Sequence, residues 1–203
     1  MKILKPRIKI CGITNQKDAF DAIEAGADAL GFVFYQNSSR YIEPVEAKKI
    51  IANLPPFIQN VGLFVNETPQ NIDYIATIAK IDTAQIHFEV DEQFFDRLDT
   101  KYIKVVRAKS KEDILKYQDQ YRIIDAFVPQ YGGEGKRINL EWFDNIDCSK
   151  IILAGGLTPD NLNQLKKYNF YALDVSSGVE YKKGIKDKQK MFDFVNKANE
   201  LYR

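Results

Sequence analysis

Acid–base chemistry on a small anionic substrate needs a proton donor, a proton acceptor and something to hold the substrate's charge. The chain offers a thiol in Lys9-Ile-Cys11-Gly12, a carboxyl inside the apolar run Ile123-Ile-Asp125-Ala-Phe127, and a guanidinium at Arg40. A cysteine serves as a base once its pKa is lowered, and a following glycine lets backbone approach a ligand. Taken alone, Cys11 reads as a small buried hydrophobe. Alternation along a strand puts Lys9 on the face of Cys11, so Lys9 is expected to stabilise a thiolate there. A carboxyl in the setting of Asp125 is either paired with a lysine or is a general acid whose pKa is raised by apolar surroundings. Leu153-Ala-Gly155-Gly156-Leu157 and Val175-Ser-Ser177-Gly178-Val179 suit a phosphate resting on backbone N–H groups. Gly132-Gly-Glu-Gly-Lys136 lacks the spacing of a nucleotide-phosphate loop and reads as a flexible lid. His87, the single histidine, reads on its own as structural. Its place at a strand end, beside Gln85, sets it among the substrate-binding candidates. With no second histidine and no cysteine pair, no metal site is expected, and Cys148 is left as structural.

These residues act together only if the chain brings them to one place. Short apolar runs beginning near Ile8, Ala29, Gln59, Thr83, Tyr102, Ile123, Lys150 and Ala172 alternate with helical stretches, which is the rhythm of strand–helix units. Helices are expected over 17–25, 45–53, 69–79, 160–167 and 188–201. Pro44, Pro69 and Pro159 fall at first-turn positions, where a missing N–H costs little. Eight units predict an α/β fold, a (β/α)8 barrel forming one domain. At 203 residues it is a minimal version, with shortened or missing helices around the sixth unit. The structural rival is an open doubly wound sheet, which usually uses fewer strands. In a barrel, ligand contacts belong on the loops after the strands, and every candidate above falls there.

The bulk properties narrow the partners. The 29 basic and 28 acidic residues nearly cancel, so the overall charge gives no reason to expect nucleic acid or an anionic membrane. Two cysteines make no disulfide framework, and the amino terminus lacks the apolar stretch of a signal peptide. A cytoplasmic protein is expected, working on a phosphorylated small molecule as a monomer or homodimer.

The ordered set of motifs resembles the phosphoribosylanthranilate isomerase family. The matching segments are Lys9-Ile-Cys-Gly-Ile-Thr14, Gly31-Phe-Val-Phe-Tyr35 with Ser39-Arg-Tyr-Ile42, Val61-Gly-Leu-Phe-Val-Asn66, Gln85-Ile-His87, Tyr131-Gly-Gly-Glu-Gly-Lys136, Ala154-Gly-Gly-Leu157 and Asp174-Val-Ser-Ser-Gly-Val-Glu180. The resemblance implies an Amadori rearrangement of N-(5′-phosphoribosyl)anthranilate, without cofactor or metal. It implies that Asp125 is the general acid and Cys11 the general base. It further implies that Arg40 holds the anthranilate carboxylate, while Gly155, Gly156, Ser177 and Gly178 seat the phosphate. Two places depart from the family pattern. Phe88 stands where a glycine is usual and is expected to crowd the fourth loop or change its shape, and Ile138-Asn-Leu140 replaces a commoner Phe-Asp-Trp. Two other readings remain at this point: the related aminoaldose isomerase of histidine biosynthesis, which uses paired carboxylates, and a non-catalytic phosphosugar-binding barrel.

Overall fold

Eight parallel strands pair in sequence order and close on themselves, β1-β2-β3-β4-β5-β6-β7-β8 and back to β1. The computed structural model describes residues 5–128 and 137–201. The strands are β1 (Arg7–Cys11), β2 (Ala29–Val33), β3 (Gln59–Phe64), β4 (Thr83–Ile86), β5 (Tyr102–Ala108), β6 (Arg122–Ala126), β7 (Ile151–Leu153) and β8 (Ala172–Val175). The closing pair sets Lys9 opposite Asp174.

Helices cover the outside: α1 (Gln16–Ala25), α2 (Pro44–Ile51), α3 (Pro69–Ala79), α4 (Glu92–Phe95), α5 (Lys111–Ile114) and α6 (Lys188–Glu200). Local chemistry starts and stops them. The Asn15 side chain accepts from the Asp18 N–H at the head of α1, and Gly26, at φ 105°, ends it in the left-handed region. Pro44 and Pro69 open α2 and α3, as their positions in the sequence suggested. Pro159 opens a 3-10 turn over Pro159–Leu165, where an α-helix was expected. The stretch carries Asp160, Asn161 and Asn163, residues of low helix propensity, although Asn161 caps its start by accepting from the Thr158 N–H and donating to the Gly156 carbonyl. After β6 the described helical structure is a single 3-10 turn, Leu140–Phe143, in keeping with a reduced sixth unit. The Gly132–Lys136 loop, read from the sequence as a lid, lies outside the described residues.

Side-chain alternation divides the strands between two environments. Ile8, Ile10, Leu30, Phe32, Phe64, Ala84, Ile86, Ile124 and Leu173 point out into the apolar layer under the helices, all of them nearly inaccessible to water. The residues between them point inward: Lys9, Cys11, Gln85, Asp125 and Asp174. The ionisable side chains are thus gathered inside the barrel by the same period of two that sends the apolar ones to its core.

A short hairpin follows β8. A 3-10 turn (Ser177–Val179) leads into β9 (Glu180–Lys182), which pairs antiparallel with β10 (Ile185–Lys186). Asp18 fastens the hairpin to α1 by accepting from the Lys186 N–H at 2.7 Å. Among the described residues, no helix is long and apolar enough to cross a membrane.

Candidate active site

A cavity of about 930 Å³, counted to its open mouth, lies at the carboxyl ends of the strands. Its wall includes Cys11, Arg40, Gln85, His87, Arg107, Asp125, Gly155, Gly156, Asp174 and Ser177. Seven of the eight residues singled out in the sequence therefore line one space. The exception is Gly178, which sits behind the wall. A Cβ there would come within 1.8 Å of the Leu157 carbonyl oxygen, so this glycine lets the loops after β7 and β8 touch.

Cys11 ends β1 with its thiol against β2. A Cβ on Gly31 would lie 2.6 Å from the Cys11 Sγ, so the bare backbone of β2 makes room for the sulfur. Burial pushes the thiol pKa up and outweighs the downward pull of the Lys9 ammonium. Lys9 does pull toward the thiolate as expected, but desolvation is the larger effect and favours the thiol. Lys9 reaches the thiol and also donates to Asp174 Oδ2 at 2.7 Å and to Gln85 Oε1 at 2.9 Å. Burial works against the ammonium, but the Asp174 carboxylate holds its pKa above the ordinary value.

That contact fixes two further protons. An ammonium only donates, so the Gln85 oxygen must face Lys9 and its NH2 must face the other way, toward His87. Gln85 Nε2 lies 3.2 Å from His87 Nδ1, which must then accept, leaving the ring proton on Nε2. His87 Nε2 lies 3.7 Å from Asp125 Oδ2. Burial, helped by the charges of Arg107 and Lys9, lowers the imidazole to about 3. His87 is therefore neutral and offers Asp125 an N–H dipole in place of a charge.

Asp125 accepts from the Ala126 N–H at 2.8 Å and shows 24% of its side chain to the cavity. Burial and the nearby Asp174 charge raise its pKa to about 6. The alternative of a carboxylate paired with an interior lysine describes Asp174, not Asp125. One Asp174 oxygen takes Lys9, while Oδ1 has no hydrogen-bond partner among the described residues.

Arg40, in the loop after β2, is buried and meets Glu180 through two parallel hydrogen bonds, Nε to Oε1 at 2.7 Å and Nη2 to Oε2 at 2.8 Å. The sequence reading gave Glu180 no role, because nothing local marks a residue 140 positions away as the partner of Arg40. Arg107 was missed as well, although its signal was present. It has the inward parity of Ile103 and Val105, and it stands in register with Asp125 at the end of β5. It donates to the Val128 carbonyl, and its guanidinium lies over the Phe127 ring.

Neither departure from the family pattern reaches the cavity. Phe88 meets Phe94 of α4 edge-on, with ring centroids 5.5 Å apart, and is not among the cavity's lining residues. Ile138 is buried in the outer apolar layer with Leu140 packed on it.

Comparison with known proteins agrees with this geometry. The family model described as N-(5'-phosphoribosyl)anthranilate (PRA) isomerase matches residues 8–197. An N-(5'-phosphoribosyl)anthranilate isomerase from a Nitratiruptor species is 61% identical over 192 residues, 95% of this chain and 98% of the relative. A crystal structure of phosphoribosyl anthranilate isomerase from Thermus thermophilus superposes with a TM-score of 0.87 at 32% identity, covering 96% of this chain and 99% of that one. Another crystal structure of this isomerase, in complex with reduced 1-(o-carboxyphenylamino)-1-deoxyribulose 5-phosphate, gives 0.80 at 36% identity over 95% and 98% of the two chains.

Proposed function

The chain belongs to the N-(5'-phosphoribosyl)anthranilate isomerase family, and we propose that its cavity runs that reaction with Asp125 as proton donor and Cys11 as proton acceptor. The activity is an isomerisation in tryptophan biosynthesis, the Amadori rearrangement of N-(5′-phosphoribosyl)anthranilate to 1-(2-carboxyphenylamino)-1-deoxyribulose 5-phosphate. Protonated Asp125 gives its proton to the furanose ring oxygen. The C1′–O bond breaks, and the nitrogen lone pair forms the C=N bond of a Schiff base. Cys11, as the thiolate, removes the C2′ proton; those electrons form C1′=C2′ and return a lone pair to nitrogen. The resulting enolamine loses the proton on its C2′ oxygen and gains one at C1′ to give the ketone. The imine nitrogen is the electron sink, so the chemistry calls for no added cofactor.

One observation carries the assignment of roles. A carboxyl held near pKa 6 shares a cavity wall with a buried thiol, so the two groups that must exchange protons with the sugar face the same space. The pH profile tests it. The reactive form has Asp125 protonated and Cys11 ionised, the reverse of the dominant state near neutrality. Below about 6, kcat/KM rises tenfold per pH unit as thiolate forms. Above 6, loss of the Asp125 proton cancels that gain and gives a plateau up to the thiol pKa. The break near 6 should vanish in Asp125→Asn, whose residual activity should keep rising with unit slope. A break that persists in this variant belongs to another group.

Arg40 is placed to hold the anthranilate carboxylate, and Gly155, Gly156 and Ser177 to seat the phosphate, with Gly178 holding the loops together. A planar fork is suited to a carboxylate, whereas an ammonium is a single point of charge. Arg40→Lys should therefore raise KM by about tenfold while kcat changes little. An unchanged KM in initial-rate measurements would reject the assignment. The same proposal extends to the chain working as a monomer or a homodimer. A cytoplasmic setting belongs to the same proposal, supported by two buried cysteines that remain free thiols.

A further inference from the structure

Arg40 is the group proposed to hold the substrate's carboxylate, yet it is already tied to a carboxylate of its own. Glu180 takes the Nε–Nη2 edge of the guanidinium through two bonds of 2.7 and 2.8 Å. A guanidinium has a second edge of the same shape, formed by Nη1 and the remaining proton of Nη2. Nη1 has no protein acceptor among the described residues, and Arg40 lines the cavity. Glu180 is itself immobilised. Its Oε1 also accepts from Lys186 Nζ at 3.1 Å and from the Gly184 N–H at 3.3 Å. Lys186 continues to the Ser176 carbonyl, at 3.2 Å, in the loop proposed to seat the phosphate. Thr14, beyond the end of β1, donates to the Gly184 carbonyl at 2.6 Å and ties the hairpin turn to the barrel.

We infer that Glu180 is a positioning residue for substrate recognition: by occupying one edge of Arg40 it fixes the other edge toward the substrate's aromatic carboxylate. The β9–β10 hairpin is then the frame that aims Arg40, and Lys186 links that frame to the phosphate loop. The inference rests on the reading of Arg40 as carboxylate holder and extends it to a residue that need not touch the ligand.

Calorimetric titration with two probes tests this. One is the reduced product analogue, 1-(2-carboxyphenylamino)-1-deoxyribitol 5-phosphate; the other is the same compound without the carboxylate. Glu180→Gln keeps the shape but loses one acceptor and the charge. It should weaken the carboxylate-bearing probe by about tenfold or more, leaving the carboxylate-free probe as tight as in the wild type. With the natural substrate the same variant should raise KM and spare kcat. Glu180→Asp, which keeps the charge at a shorter reach, should fall between them, and it carries the test should Glu180→Gln fail to fold. Equal weakening of both probes, or of neither, overturns the inference and leaves Glu180 a structural residue. Arg40→Lys separates the two layers. If it also leaves both probes unaffected, the carboxylate reading of Arg40 has failed. If it discriminates between them and the Glu180 variants do not, the positioning role alone has failed.

Discussion

Asp125→Asn is expected to lose at least about a hundredfold in turnover and, at the same time, to make the protein more stable in alkaline solution. The two effects have one cause. In the folded protein the carboxyl titrates near 6 instead of 3.8, because burial and the Asp174 charge disfavour its ionised form. The folded state therefore holds that proton more tightly than the unfolded chain. Below 3.8 both states are protonated and folding carries no penalty from this group. The penalty grows between 3.8 and 6, and above 6 it is complete. A shift of roughly two units corresponds to about 3 kcal/mol, and an amide, which never ionises, escapes it. Denaturant midpoints of variant and wild type, compared at about pH 8 and about pH 4, should therefore diverge by about 2 to 3 kcal/mol in favour of Asn at the higher pH. Equal differences at the two pH values would mean that the fold does not hold this carboxyl protonated.

Cys11→Ala should lose at least about a hundredfold as well, but for a different reason: no neighbour can take over as base. Lys9 is an ammonium held by Asp174, and Asp125 is needed with its proton on. The His87 imidazole is neutral, but at a pKa of about 3 it is too weak a base to remove a carbon-bound proton. The measurement is the fall in anthranilate fluorescence as substrate, made in place from anthranilate and phosphoribosyl pyrophosphate, is consumed. Fast decay in the wild type with almost none in the variant is the expected result. Comparable decay in both would remove Cys11 from the chemistry.

The strands and the cavity were legible in the sequence because both depend on local periods. Runs such as Ala29-Leu-Gly-Phe-Val33 announce a strand buried on both faces, and parity along Ile8-Lys-Ile-Cys11 separates core from cavity without any knowledge of partners. Four-residue helices such as α4 and α5 leave no such trace, since one turn is too short for a 3.6-residue period to show. The β9–β10 hairpin was hidden in the polar stretch Glu180–Lys186, which has no alternation to mark it. What could not be read at all was the choice of partners. Lys9 shares a strand face with Cys11, which suggested a stabilised thiolate; the folded protein shares its ammonium with Asp174 and Gln85 as well, and burial raises the thiol pKa. For Phe88 the sequence left open whether the ring crowds or reshapes its loop, and only the position of Phe94 shows where the ring goes.

The seam between the first and last strands has a consequence for the time the molecule spends being made. Lys9 leaves the ribosome 165 residues before the Asp174 that neutralises it, an interval of roughly 8 to 33 s at ordinary rates of synthesis. Through that interval the nascent chain carries a lysine with no counter-charge on a segment whose burial demands one. Docking of β8 on β1 is the step that supplies this counter-charge, and it also brings Asp174 and Ser177 to the cavity wall. Closure of the barrel and completion of the site are one event.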